Sequence, residues 1–267
     1  MTPRDDRKLE LLYKMQQPCY DDNKIFTNTA KLDKIRELSE GNSYSAIRVQ
    51  GDLFHLYSQS PLDRLDPAHT IVLSTHADFV PTIQNPFVEV KGDVLHGTFD
   101  NSATNAAALY LMLEANLPMN VLVAFTGNEE HGMRGAAELD KFLVSQLGTH
   151  PFYLTLDVTN IGYKKKQYSI ENTFSLPEEN IRDLIQICKD TGYNGYLYPQ
   201  ALADESYEYS ELGAKCCSFC VPTKGPMHSD TGCSMELTAY LAYVDVLERI
   251  TKWFRPPMPV AETGLGR

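Results

Sequence analysis

Residues 120–136 read NVLVAFTGNEEHGMRGA. The first seven, NVLVAFT, form a nearly unbroken apolar run rich in β-branched residues, the pattern of a strand buried on both faces of a sheet. A helix over 134–147 is predicted to follow and to stop at Gly148. Between them stand Glu129 and Glu130. Two adjacent carboxylates on a strand-to-helix turn repel one another unless something cationic lies beside them. A chain that keeps such a pair marks a site there.

Working outward, the same alternation recurs. TIVLS (70–74), YLTLDV (153–158) and AKCCSFCV (214–221) read as buried strands, and AIRVQGDLFHLYS (46–58) as two strands around a Gly51-Asp52 turn. Helical spacing covers 6–15 and 29–39. The nearly all-apolar ATNAAALYLMLEA is a helix with Ser102 as its cap. Residues 177–191 form another, with a Ser175–Glu178 capping box, and a long helix begins near Ser234. The reading is a single α/β domain over 1–267, a doubly wound, mostly parallel mixed sheet flanked by helices. Residues 1–45 are an N-terminal helical segment packed on it, and 256–267 a loose C-terminal tail. In such sheets ligands bind beyond the carboxyl ends of the strands. Four strand ends deliver His76 with Asp78, Glu129 with Glu130, Asp157, and His228 to that one edge; Asp100 lies in a glycine-bearing turn, GTFDNSATN.

The chain has 267 residues and a formal charge of -11, which makes nucleic acid and anionic membrane poor partners. Charges occupy the N-terminus where a signal peptide needs an apolar stretch, and no run approaches a membrane span. A soluble, cytoplasmic protein is expected. The six cysteines read as reduced core thiols, because Cys216, Cys217 and Cys220 fall in an apolar strand-like run rather than in metal-binding knuckles.

His76, Asp100, Glu129, Glu130, Asp157 and His228 make a carboxylate and imidazole set suited to zinc, with cobalt or manganese as substitutes. Asp100, at the mouth of a buried helix, suits a carboxylate shared by two ions. Only one of the adjacent glutamates need be a ligand, which leaves the other to act as general base. Asp78 is placed to accept a hydrogen bond from the His76 imidazole. His131, His55, His69, His96 and His150 lack such a pattern. Lys164 to Lys166 read as a solvated turn able to steer an acidic substrate terminus, and Tyr207 and Tyr209 as hydrogen-bond donors to an oxyanion or as packing residues.

In this order, His76-Ala77-Asp78, Asp100-Asn101, Glu129-Glu130, Asp157 and His228 resemble the pattern of the co-catalytic di-zinc exopeptidases. The intervals are similar to those of its single-domain zinc aminopeptidases: 24 residues from His76 to Asp100, 30 to Glu130, 27 to Asp157 and 71 to His228. VPTKGPMHS is closer in wording to the glutamyl aminopeptidase branch. The intervals leave no room for that branch's inserted domain, nor for the lid domain of related carboxypeptidases. The resemblance implies one metal held by His76, Asp100 and Asp157, and a second by Glu130, His228 and the shared Asp100. It also implies Glu129 as base and a cis bond between Asp100 and Asn101. The implied activity is a metal-dependent aminopeptidase acting on peptides with a free N-terminus. Alternatives are another amide hydrolase or a glutaminyl-cyclase-like enzyme on the same fold, and a non-catalytic binding module.

Overall fold

The computed structural model describes residues 1–20, 27–200 and 203–257. In chain order the elements are α1 (Pro3–Lys14), α2 (Thr29–Ser39), β1 (Ser45–Gln50), β2 (Phe54–Ser58), β3 (Ile71–His76), β4 (Val88–Lys91) and β5 (Val94–Gly97). Then come α3 (Ser102–Glu114), β6 (Val121–Thr126), α4 (Arg134–Leu147), β7 (Phe152–Thr159), β8 (Tyr168–Glu171) and α5 (Glu178–Lys189). The chain finishes with β9 (Gly195–Tyr198), α6 (Glu205–Glu211), β10 (Cys216–Lys224), β11 (Cys233–Glu236) and α7 (Leu237–Trp253).

One mixed sheet runs β1-β2-β6-β3-β7-β10-β11-β5-β4, with β8 and β9 attached beside β10. Its centre, β6-β3-β7-β10, is parallel throughout. Antiparallel strands extend it on both sides.

Successive residues of the central strands point to opposite faces, and both faces are covered. Ile71, Leu73, Val121, Val123 and Leu154 enter a large core with residues of α1, α2, α3, α5 and α7. Val72, Leu122, Ala124 and Tyr153 enter a second core with Ala136, Leu139 and Leu143 of α4 and Tyr209 of α6. Burial from both sides explains why these strands read as continuous apolar runs. Helix α3 lies deepest, with every residue from Ser102 to Met112 buried, which is why it carries no polar stripe.

Some local expectations were misplaced. Ser175 and Glu178 form no capping box: the Ser175 hydroxyl donates to the Cys216 carbonyl and accepts from the Cys216 amide, and the helix begins after Pro177. Asn101 occupies the cap position of α3, while Ser102 donates to the Thr98 carbonyl. The last helix starts at Leu237, because Cys233–Glu236 pairs with β5 as a strand. Of the expected tail, 258–267 lies outside the described residues. All six cysteines are buried and unbridged. No helix among the described residues is long and apolar enough to cross a membrane.

Candidate metal centre

His76 is the last residue of β3, and Asp157 lies near the end of the neighbouring β7. Each stands two residues beyond the Ser74–Thr155 register pair, so the parallel pairing alone sets them side by side. On the other flank of β3, His76 is level with Thr126, the last residue of β6. The chain then turns through Gly127 and Asn128, the latter left-handed at φ 61°, and presents Glu129 and Glu130. Helix α4 packs close behind this turn. A Cβ on Gly135 would lie 2.4 Å from the carbonyl oxygens of both Gly127 and Leu53, an approach only glycine permits.

Asp78 ties these pieces together from a fully buried position. Its Oδ1 accepts from the Glu129 amide at 3.2 Å, and its Oδ2 from the Glu130 amide at 3.1 Å. The expected hydrogen bond from His76 is long: Nδ1 is 3.5 Å from Asp78 Oδ1, and that nitrogen has no hydrogen-bond partner among the described residues. Asp78 therefore holds the diglutamate turn at least as firmly as it holds the imidazole.

Asp100 precedes α3, and the Asp100–Asn101 peptide is cis. The Asn101 side-chain amide donates to the Leu156 carbonyl on β7 at 2.8 Å, and that of Asn105 to the His76 carbonyl at 2.7 Å. His228 comes from the loop after β10. That loop is clamped through Asp230, whose Oδ1 accepts from the amides of Gln84 and Asn85 at 2.8 and 3.0 Å.

These side chains fall into two groups that share one residue. Asp100 Oδ1 is 3.1 Å from His76 Nε2, which in turn lies 3.7 Å from Asp157. Asp100 Oδ2 is 3.0 Å from His228 Nε2, which lies 3.6 Å from Glu130. Within each group, His76–Asp100–Asp157 and Asp100–Glu130–His228, one ligand atom per residue lies within 4.8 Å of the others. The two oxygens of a single carboxylate thus face two separate donor sets.

The electrostatics fit cations at both. Burial, then repulsion from Asp157, Glu130 and Asp100, lifts the Glu129 carboxyl to about 9 against the pull of His76. Glu130 and Asp157 are likewise raised, by burial and by Asp100. Burial also opposes ionisation of Asp100, but hydrogen bonds from His228 and His76 outweigh it and hold that group well below the usual carboxylate range. Its contacts in turn raise His228 to about 9. Among the described residues, no lysine or arginine lines this cavity. Raised carboxyls around such a cavity make a donor set whose ionisation a bound divalent cation would favour.

The cavity holds about 200 Å³, and Val158, Ile161, Met227 and Ala203 supply apolar wall. Two carboxylates of its lining, Glu171 and Asp204, are given no role by the sequence reading. Asp204 accepts from Ser206, Ser218 and Asn172, and caps α6. The next residue, Glu205, is buried and accepts from Ser74 and Thr126, directly behind His76. Of the two tyrosines, Tyr209 stacks on Tyr153 in the core and bonds Ser74, while Tyr207 is half-exposed against Phe174. Three of the other five histidines have partners away from the cavity: His69 contacts Asp66, His150 contacts Asp140, and His96 packs on Phe87.

The profile of peptidase family M20/M25/M40 matches residues 72–253, a span containing every residue of both donor sets. The chain belongs to this family. As an M20/M25/M40 member it is a metal-dependent peptidase. Solved structures agree in fold. A TET aminopeptidase from a marine sediment archaeon of the Thaumarchaeota superposes with TM-score 0.73 at 11% identity, over 92% of this chain and 96% of that one. Aminopeptidase APDkam598 from the archaeon Desulfurococcus kamchatkensis gives 0.72 at 10%, over 93% and 95%. Aminopeptidase PepT from Bacillus cereus gives 0.66 at 11%, over 92% and 98%. No curated protein matches in sequence.

Proposed function

We propose that this family member is an aminopeptidase that removes the first residue of a peptide, using two divalent cations, zinc foremost. His76, Asp100 and Asp157 would hold one ion; Glu130, His228 and Asp100 the other. The observation that carries this reading is the placement of Asp100, whose two oxygens face different donor sets 3.1 and 3.0 Å away. A single-ion enzyme such as a glutaminyl cyclase would have no use for that sharing.

When bound, the ions supply Lewis-acid polarisation of the scissile carbonyl and acidify water. The remaining work belongs to side chains. Glu129 belongs to neither donor set and borders the cavity, so it is free to take a proton from the attacking water and return it to the leaving amine. Asp78 fixes the Glu129 and Glu130 backbone, which keeps base and ligand on their separate tasks. The small cavity suits the end of a peptide better than its middle, consistent with an exopeptidase. Six buried thiols favour a reducing, cytoplasmic setting.

Metal analysis of purified protein should give two ions per chain. Aminoacyl anilides and short peptides should be hydrolysed, and their N-acetylated forms spared. Hydrolysis of blocked substrates at equal rates would overturn the assignment to free N-termini, and a stoichiometry of one would overturn the shared role of Asp100.

A further inference from the structure

A second cleft, of about 910 Å³, adjoins the metal cavity, and Asn160 borders both. The inner cavity is small, so a peptide whose first residue fills it must continue outward, and this cleft is the adjoining space. Its charged residues are Lys164, Lys165 and Lys224, and no carboxylate among the described residues lines it. Carboxylates pair with Lys8, Lys14, Lys34, Lys91, Lys141 and Lys252. Among the described residues they pair with none of these three.

The lysines are presented by ordered backbone. Gly162, at φ 85°, accepts from the amides of Lys165 and Lys166 at 2.9 and 2.8 Å. Lys166 is turned away to Asn194, whose own side-chain amide donates to the Lys165 carbonyl. That anchor leaves Lys164, left-handed at φ 59°, and Lys165 on the cleft. Lys224, the last residue of β10, lines the same cleft. Lys164 has an aromatic neighbour, its Nζ 5.9 Å from the centre of the Tyr163 ring, but no carboxylate among the described residues neutralises any of the three, and like charges so gathered in a chain of net charge -11 form a site for an anion.

Building on the proposed aminopeptidase activity, we infer that Lys164, Lys165 and Lys224 bind a carboxylate of the substrate, which makes short peptides with a free carboxyl end the preferred class. The same chemistry is carried by an acidic side chain downstream of the scissile bond, and the test separates the two. For the metal-loaded enzyme at low salt, kcat/KM for a tripeptide should exceed that for its C-terminal amide by about tenfold, the worth of two or three exposed ion pairs. The difference should lie in KM and shrink in about 0.5 M salt. In the K164Q/K165Q/K224Q variant the ratio should fall towards one, and the matching arginine variant should keep it. A tripeptide amide with glutamate in place of glutamine at its last position reports the side-chain source: a gain there equal to that of the free acid assigns the lysines to acidic residues and overturns the preference for chain ends. Equal kcat/KM for all these peptides, or a preference that survives the triple glutamine variant, overturns the inference. Hydrolysis of none of them overturns the aminopeptidase reading itself, and this inference with it.

Discussion

Replacing Asp78 by asparagine tests the claim that one buried carboxylate organises the site without binding metal. The change keeps the shape and removes one acceptor oxygen. In the native chain Oδ1 accepts from the Glu129 amide and Oδ2 from the Glu130 amide, at 3.2 and 3.1 Å. Asparagine satisfies only one and turns an NH2 group towards the other. Losing one hydrogen bond to a charged group amounts to about 2 kcal/mol. For a domain of this size that is a fall of roughly 5 °C in the melting temperature of metal-free protein. The variant also takes a negative charge from beside His76, 3.5 Å from Nδ1, and at that long contact the loss should weaken metal binding by about tenfold, the low end for a group supporting a metal ligand. Differential scanning calorimetry of apoprotein and a competition titration against a chelator measure the two effects separately. Unchanged melting would show that Asp78 does not hold the diglutamate turn, and unchanged affinity that it does not support the ligand. Either result would refute the organising role of this carboxylate.

Other perturbations probe other parts of the site and its scaffold. Glu129→Gln should keep both ions and lower kcat by about 10²–10⁴-fold; loss of metal in step with activity would make it a ligand instead. His228→Ala, at a half-exposed side chain, should reduce the metal count from two to one while barely moving the apoprotein melting temperature. Gly135→Ala sets a methyl 2.4 Å from two carbonyl oxygens and should destabilise the fold by about 1–3 kcal/mol in denaturant titration; a neutral change would mean that α4 can step back freely. Burial raises the Glu205 carboxyl from 4.5 to about 7. The folded state therefore holds its proton longer than the unfolded chain, and stability falls as pH rises through that interval. Glu205→Gln should flatten the decline in melting temperature between pH 4.5 and about 7, and an unaltered slope would contradict this.

The parts of the fold that position the site were legible because sandwiched strands have to be apolar on both sides. Ile71–His76, Val121–Thr126 and Phe152–Thr159 announce themselves in that way, and the metal-type residues His76, Glu129, Glu130 and Asp157 stand near their ends. The short strands did not. Val88–Lys91 and Val94–Gly97 are four residues each and half-exposed, too little for a period to emerge, although the Gly92-Asp93 turn between them was a usable cue. Helix α6 escaped notice because its buried side chains include Glu205 and Ser206, which look like solvent-facing residues until Ser74 and Thr126 are seen to satisfy the acid. Ser175 misled for a related reason. A hydroxyl three residues ahead of a glutamate suits a cap, but a tertiary partner on β10 claimed it. Asp78 was half legible: its sequence neighbour His76 suggested one contact, whereas its hydrogen bonds reach a turn about fifty residues away.

The two donor sets differ at one member. His76, Asp100 and Asp157 lie at 3, 8 and 17% side-chain exposure and Glu130 at 11%, whereas His228 stands at 55% on a loop. For the two-ion enzyme proposed above, an exposed ligand implies weaker retention: dialysis should strip the ion held by His228 first and leave a half-loaded, inert species. Where zinc is scarce, the active fraction would then follow ion supply rather than protein abundance. A calorimetric titration should resolve two steps of different strength, and a single step accounting for both ions would remove that consequence.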